Sequence, residues 1–353
     1  MFCPECGNTK SPIIEGICQN CFLKKISILK IPENIEVVVC AHCNAKFEEG
    51  KWKESEIPEE EIIYRALERS INVDSHISHE KLAIELEIIQ MRGTIAECYI
   101  EAEAEIFGEI IKQSFESEVR LLRNVCPNCS KQQSGYYESV VQFRADDREL
   151  TQDEMDKTDK IVDKTLNNRF YKDKLAYLVQ KTKLKEGYDY YIGSYKSGKK
   201  IADAIKEEFG GIINESPRLI SQDKSTGKGL YRIWILIRLP KFKKGDFVKY
   251  NDKYWEIMNI DGKRILIQDL DTFERIPLQW KEYENIEYIK EEKNIQTTTL
   301  ISKSPLNMQI LDPDDYTVVD IPIINEYFNE FNIGDEVNVI KIENQLYILQ
   351  TEK

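Results

Sequence analysis

Eight of the nine cysteines in this chain fall into four C-x-x-C units: Cys3/Cys6, Cys18/Cys21, Cys40/Cys43 and Cys126/Cys129. A C-x-x-C puts two sulfurs on one tight turn, at adjacent corners of a tetrahedron about 2.3 Å from a zinc ion. Turn formers accompany the pairs, as in Cys3-Pro4-Glu5-Cys6-Gly7 and Cys126-Pro127-Asn128-Cys129-Ser130. Eight thiolates make two closed four-sulfur sites with no position open to substrate, so the expected cofactor is a pair of structural zinc ions. Redox chemistry of the thioredoxin type needs one C-x-x-C opening a helix after a strand. Four copies in turn-rich surroundings do not fit it.

Which pairs share a metal stays open at this level. Adjacent pairing joins Cys3, Cys6, Cys18 and Cys21 across 11 residues, and Cys40, Cys43, Cys126 and Cys129 across 82. The 18 residues between Cys21 and Cys40 would also suit a zinc ribbon, and an interleaved arrangement is a third option. Adjacent pairing is favoured because it keeps the first loop shortest. Cys98 stands apart, in a period-two alternation of Ala96, Ile100, Ala102 and Ala104 with Glu97, Glu101, Glu103 and Glu105. That pattern predicts a buried, inert thiol on a strand.

No catalytic constellation is visible. His42 lies inside a C-x-x-C, and His76 and His79 lie in a polar loop. There is no nucleophile–base pair, phosphate-binding glycine loop or H-E-x-x-H, so the expectation is a protein that is not an enzyme and takes no small-molecule substrate. No apolar run approaches the roughly 18–20 residues that cross a bilayer, and two of the first six residues are cysteines. The reading is therefore a cytoplasmic monomer without membrane contact, where reduced thiols favour metal over disulfides.

The net charge of −13 argues against nucleic acid until it is divided along the chain. Residues 157–244 hold 21 Lys and Arg against 10 Asp and Glu, whereas the rest is strongly acidic. Such asymmetry suggests one face for a polyanion and others that avoid non-specific contact. Within this stretch Lys196, Lys199 and Lys200 open a predicted helix, and Arg218, Lys224, Lys228 and Arg232 lie on or around a predicted hairpin. If helix start and hairpin share an edge, they form a phosphate-binding patch that reads no bases. Tyr188, Tyr190, Tyr191 and Tyr195 are interspersed, and Gly193, Gly198, Gly227 and Gly229 would allow close backbone approach. Alternation assigns at least half of those tyrosines to the core; binding to structured RNA by shape is the preferred reading.

The chain divides into a zinc-binding module (1–52 and 126–135), a β-rich insertion (53–125), an α+β domain (136–240) and two small β-barrels (241–292 and 293–353). The fold class is multidomain α+β. A helix is expected over 53–70 and antiparallel strands over 80–125. The α+β domain should run strand 136–144, helix from Thr151 to about Asn168 with a capping box, helix 170–184, strand 187–193, helix 196–209, and strands 217–223 and 229–239. Gly245-Asp246-Phe247-Val248-Lys249-Tyr250, echoed by Gly334-Asp335-Glu336-Val337-Asn338-Val339, suggests the paired barrels.

With these strings in view the sequence resembles the large-ribosomal-subunit export adaptor family named for the third nonsense-mediated-decay protein, in its shorter archaeal form. The four C-x-x-C pairs, Val141-Gln142-Phe143-Arg144, and Leu219-Ile220-Ser221-Gln222-Asp223 after Pro217-Arg218 carry the likeness over most of residues 1–245. It implies a non-enzymatic factor that binds rRNA and ribosomal proteins on the intersubunit face of the large subunit, in assembly or quality control. It also implies a ribosomal-protein-like middle domain and a C-terminal pair of barrels like those of initiation factor five-A. Arg144 joins the candidate RNA-binding residues on this ground. The alternative is a zinc-ribbon scaffold that binds proteins and has no RNA role.

Overall fold

Alternation over residues 82–124 becomes three long antiparallel strands, Leu82–Arg92, Ile95–Ile106 and Glu109–Asn124. The computed structural model describes residues 2–54, 57–222, 227 and 229–350, in two units, Met1–Lys131 and Gln132–Lys353. In the first unit the last of the three strands also pairs in parallel with Asn34–Cys40, which continues through Lys46–Glu48 to Lys51–Lys53 in one six-stranded sheet. Ala96, Cys98, Ile100, Ala102, Ala104 and Ile106 face a core shared with Phe22 and Leu23 of the Gln19–Lys25 helix and with Ile62, Ile63 and Leu67. The intervening glutamates point away from that core, as period two requires. The residues read as a zinc-binding module and the segment read as an insertion thus share one sheet and one core. Residues 1–52 alone have too little apolar surface to exclude water, so their strands complete themselves on the longer ones.

The helix expected from residue 53 begins only at Glu59, with Pro58 at its N-cap and Glu59, Glu60 and Glu61 in the first turn, where they complement the helix dipole. Trp52 belongs to the preceding strand. Cys98 is buried, and desolvation pushes its thiol up to about 11, as expected of an inert cysteine.

In the second unit a five-stranded sheet has the order Leu178–Leu184, Gly187–Ile192, Ser139–Ala145, Gly229–Leu239, Ile212–Gln222. Helices Gln152–Phe170 and Tyr195–Phe209 cover one face through Val162, Leu166, Ile201, Ala202 and Ile205, against Val141, Phe143, Tyr190, Ile235 and Ile237. The helix expected over 170–184 is a correction: Leu178–Leu184 is a strand, paired antiparallel with Gly187–Ile192. Its Lys181 sits 3.9 Å above the Tyr188 ring and pairs with Asp159 at 2.6 Å. Here cross-strand partners outweigh local propensity.

The capping box at Thr151 forms as expected: Thr151 Oγ1 accepts from the Glu154 N–H, and Glu154 accepts from the Thr151 N–H at 2.8 Å. Burial works against the Glu154 carboxylate, but two bonds from Arg148 (3.0 and 2.8 Å) and the Thr151 N–H hold it below the usual range. A depressed carboxyl adds stability above its unfolded value and loses it as pH falls through the folded value. Glu154→Gln is therefore expected to cost about 1–2 kcal/mol at neutral pH. The deficit should shrink below about pH 4.5, measured by urea denaturation of both proteins across pH.

Two small barrels follow. The first has strand order Arg275–Gln279, Arg264–Asp269, Lys253–Ile260, Phe247–Tyr250, Glu287–Lys290, around Val248, Trp255, Ile257, Ile265 and Ile267. The second surrounds Leu300, Met308, Ile310, Val337 and Val339. Phe247, Leu270, Ile340, Ile342, Tyr347 and Leu349 make a further core that both contribute to. In the repeated Gly-Asp strings, Gly245 and Gly334 have φ of +87° and +95°, so each copy turns into its strand the same way. Tyr283 Oη donates to Asp146 at 2.8 Å and accepts from the Lys241 N–H at 3.1 Å, joining the first barrel to the α+β sheet.

Candidate functional site

The cysteines gather as two sets of four, Cys3/Cys6/Cys18/Cys21 and Cys40/Cys43/Cys126/Cys129, with the four sulfurs of each within 4.8 Å of one another. Of the three pairings left open by the sequence, the adjacent one is realised. Tetrahedral zinc at about 2.3 Å places ligand sulfurs roughly 3.8 Å apart; Cys43 and Cys126 lie at 3.7 Å, and Cys6 and Cys18 at 3.4 Å. In each set two cysteines are buried, one is half-buried and one is exposed, and both sets fit structural zinc.

Local folding puts them there. The Cys3 Sγ accepts the Cys18 N–H at 3.3 Å, and the Gly7 N–H closes a turn on the Cys3 carbonyl at 2.9 Å. In the second set Cys40 ends its strand opposite Asn124, and its Sγ accepts the Cys126 N–H at 3.4 Å. The Cys18 N–H above all lowers the Cys3 thiol to about 6; for Cys40 burial opposes the shift, but backbone N–H groups of Cys126, His42 and Cys43 bring it to about 6. The sulfurs of Cys6 and Cys18 push Cys21 up, and burial together with Cys43 does the same to Cys129. Four sulfurs crowded in this way resist full ionisation unless a cation balances them. His76 is held by Asp74 at 2.9 Å and edge-on against Phe22, a structural environment.

The candidate RNA-binding residues do not form one patch. Lys199 pairs at 3.0 Å with Glu215, whose carboxylate also accepts from Tyr195 Oη at 2.7 Å and is held below the usual range by both partners. Glu215 stands opposite Ile235, on the helix-covered face. Arg218 stands opposite Arg232, on the other face. Lys196, Lys199 and Lys200 are exposed on the helix; Arg218 is exposed and Arg232 half-buried across the sheet. Helix start and hairpin do meet, at Glu215 of the edge strand, but Arg218 and Arg232 turn to the other face because one residue of parity in a strand decides the face.

Arg144 is a correction. Its side chain is 10% exposed, bonded to Asp189 at 2.5 Å and to the Tyr188 carbonyl at 2.8 Å, so it braces the sheet and offers nothing to a phosphate. Lys224 and Lys228 lie outside the described residues. Gly193 and Gly198 answer to internal packing: a Cβ on Gly198 would meet Ser139 Oγ at 2.1 Å, and one on Gly193 would meet the Tyr177 ring at 2.7 Å. Of the four tyrosines, Tyr190 is buried with its hydroxyl on Asp159 and Tyr188 packs beside that core, whereas Tyr191 lies on the helix-free face. Tyr137 and Trp234, which accompany it there, were not singled out from sequence; Arg232 and Trp234 two residues apart in a strand was the available signal.

No curated protein matches the chain. Among solved structures, similarity is found to eukaryotic translation initiation factor 5A from Methanococcus jannaschii, 19% identical with TM-score 0.21, covering 31% of this chain and 89% of that one. An initiation factor eIF-5A family protein from Naegleria fowleri is similar at 18% identity and TM-score 0.21, covering 31% and 91%. The model of the NMD3 N-terminal domain matches residues 3–134, all eight clustered cysteines included, and that of the NMD3 second domain matches residues 136–239. Two consecutive matches over 3–239 make this chain a member of the NMD3 family, non-catalytic adaptors associated with the large ribosomal subunit.

Proposed function

We propose that this protein binds the large ribosomal subunit on its intersubunit face, through rRNA and ribosomal proteins, during assembly or quality control in the cytoplasm. Family membership carries the reading. The zinc module (1–52 with 126–135) and the sheet completed by residues 53–125 form a docking body. Residues 136–240 supply phosphate contacts from Lys196, Lys199, Lys200, Arg218 and Arg232, and from Lys224 and Lys228, which lie outside the described residues. The barrels of 241–292 and 293–353, acidic overall, meet ribosomal proteins. A chain whose net positive charge is concentrated in 157–244 directs a polyanion to that region and repels it from the acidic remainder.

The test is sedimentation of the protein with separated small and large subunits across a salt titration. Selective migration with the large subunit, fading as salt rises, is the expected result. Lys196→Glu with Lys200→Glu should weaken it roughly tenfold and lower the log–log salt slope by about 1–2. Lys196 faces no carboxylate among the described residues, and Lys200 has only an exposed pairing with Asp203 at 3.6 Å, so the change strikes binding and spares the fold. Binding to neither subunit would refute the reading. Salt-independent, nuclease-resistant capture of proteins would favour the zinc-ribbon scaffold instead.

A further inference from the structure

The helix-free face of the α+β sheet has a composition that folding alone does not explain. In register across four strands run Tyr191, Val140, Trp234 and Ser216, and beside that row Arg232 stands directly opposite Arg218. The Arg232 guanidinium lies 3.8 Å from the Tyr137 ring centroid, and that of Arg218 lies 4.6 Å from that of Trp234. Tyr137 in turn meets Tyr191 edge-on at 5.0 Å. Tyr137, Tyr191 and Trp234 are all half-buried, so each keeps a wet surface.

Two like charges in direct cross-strand register destabilise a hairpin, and among the described residues neither arginine has a carboxylate partner. Arg144, Lys181 and Lys199 of the same domain, by contrast, are answered by Asp189, Asp159 and Glu215. An uncompensated arginine pair calls for an anion, and guanidiniums laid over aromatic rings present flat, cationic stacking surfaces. A carboxylate-bearing peptide would satisfy the charge and leave the rings idle. A single-stranded nucleic acid satisfies both, with phosphates on the guanidiniums and bases on the rings.

We propose that this face, through Tyr137, Tyr191, Trp234, Arg218 and Arg232, seats unpaired bases of an RNA single strand. The inference rests on the RNA-binding reading above and deepens it. Shape recognition of duplex uses phosphates and 2′-hydroxyls, whereas this face takes RNA whose bases are splayed out. The helix lysines, on the opposite face, belong to a separate contact.

The test uses the full zinc-loaded chain with a labelled oligoadenylate of about twelve nucleotides, within the usual single-strand site size. An RNA duplex of equal length and an oligoglutamate peptide are the comparison probes. The single strand should bind at least about tenfold tighter than either and should quench tryptophan fluorescence. Trp234→Phe should keep most of the affinity and lose most of the quench, since Trp52, Trp255 and Trp280 lie outside this face. Tyr137→Leu should weaken binding about tenfold. Arg218→Gln, at an exposed position that cannot unfold the sheet, should weaken it several-fold and lower the salt slope by roughly 1. Equal affinity for single strand and duplex, equal binding of oligoglutamate, or a quench unchanged in Trp234→Phe would overturn the proposal. Sedimentation with large subunits is run in parallel. If that persists while the oligonucleotide fails, the base seat falls alone; if both fail, the subunit-binding reading falls with it.

Discussion

Cys126→Ser is expected to reduce tightly bound zinc from two equivalents per chain to one and to unzip one end of the six-stranded sheet. Cys126 is 3% exposed and follows the Glu109–Asn124 strand directly; Asn124 is in register with Cys40, and the Ala41 N–H donates to the Asn124 carbonyl at 2.8 Å. The second site therefore clamps the parallel pairing of Asn34–Cys40 with residues 118–124, closing a loop of 82 residues between Cys43 and Cys126. Structural zinc contributes about 10–16 kcal/mol to the folding of small domains, as much as the whole stability of an ordinary one at about 5–15 kcal/mol. A site left with three sulfurs loses most of that. Zinc would be counted by mass spectrometry after desalting, and protection followed by amide hydrogen exchange over Val37–Cys40 and Leu121–Asn124. Cys98→Ser is the control and should retain both equivalents, because its thiol belongs to neither set. Two equivalents with undiminished protection in Cys126→Ser would show that the second set is no metal site.

The second large effect belongs to the other unit. Gly187→Ala should lower its stability by about 3–5 kcal/mol, enough to shift the urea midpoint by one to several molar units. Gly187 opens a strand with φ of +141° and stands opposite Arg144. An added Cβ would lie 2.1 Å from the Phe143 carbonyl oxygen and 2.9 Å from Leu150 Cδ1. The Ser139–Ala145 strand, at the centre of the sheet, would have to move away from its neighbour, and the Arg144–Asp189 pair across the same register would open with it. Unfolding by tryptophan fluorescence reports the loss directly, since Trp234, Trp255 and Trp280 all lie in this unit. An unchanged midpoint would mean that the Phe143–Gly187 approach is not a tight one in solution.

Much of the molecule is legible residue by residue. The capping box at Thr151, the helix that ends at Phe209, the long strands of 82–124 and the buried Cys98 follow from interactions spanning only a few positions, which sequence spacing records. The Leu178–Leu184 strand was missed because its partners, Gly187–Ile192 and the Asp159 carboxylate, lie across a turn and on another element. The sharing of one sheet by Asn34–Cys40 and Glu109–Asn124 was missed for the same reason, since parallel pairing leaves no local signature.

The candidate site divides along the same line. Sequence by itself determined that eight cysteines act in pairs, that they suit zinc, and that positive charge collects in 157–244, because ligand type and charge are properties of the residue. Only the tertiary structure decided which pairs meet, since the 11- and 18-residue spacers permit different closures and chain entropy separates them weakly. Only the tertiary structure, too, withdrew Arg144 into an ion pair and parted Lys199 from Arg218 across the thickness of a sheet. A strand turns successive side chains to opposite faces, so the face a cation serves depends on what the fold has laid against the other one.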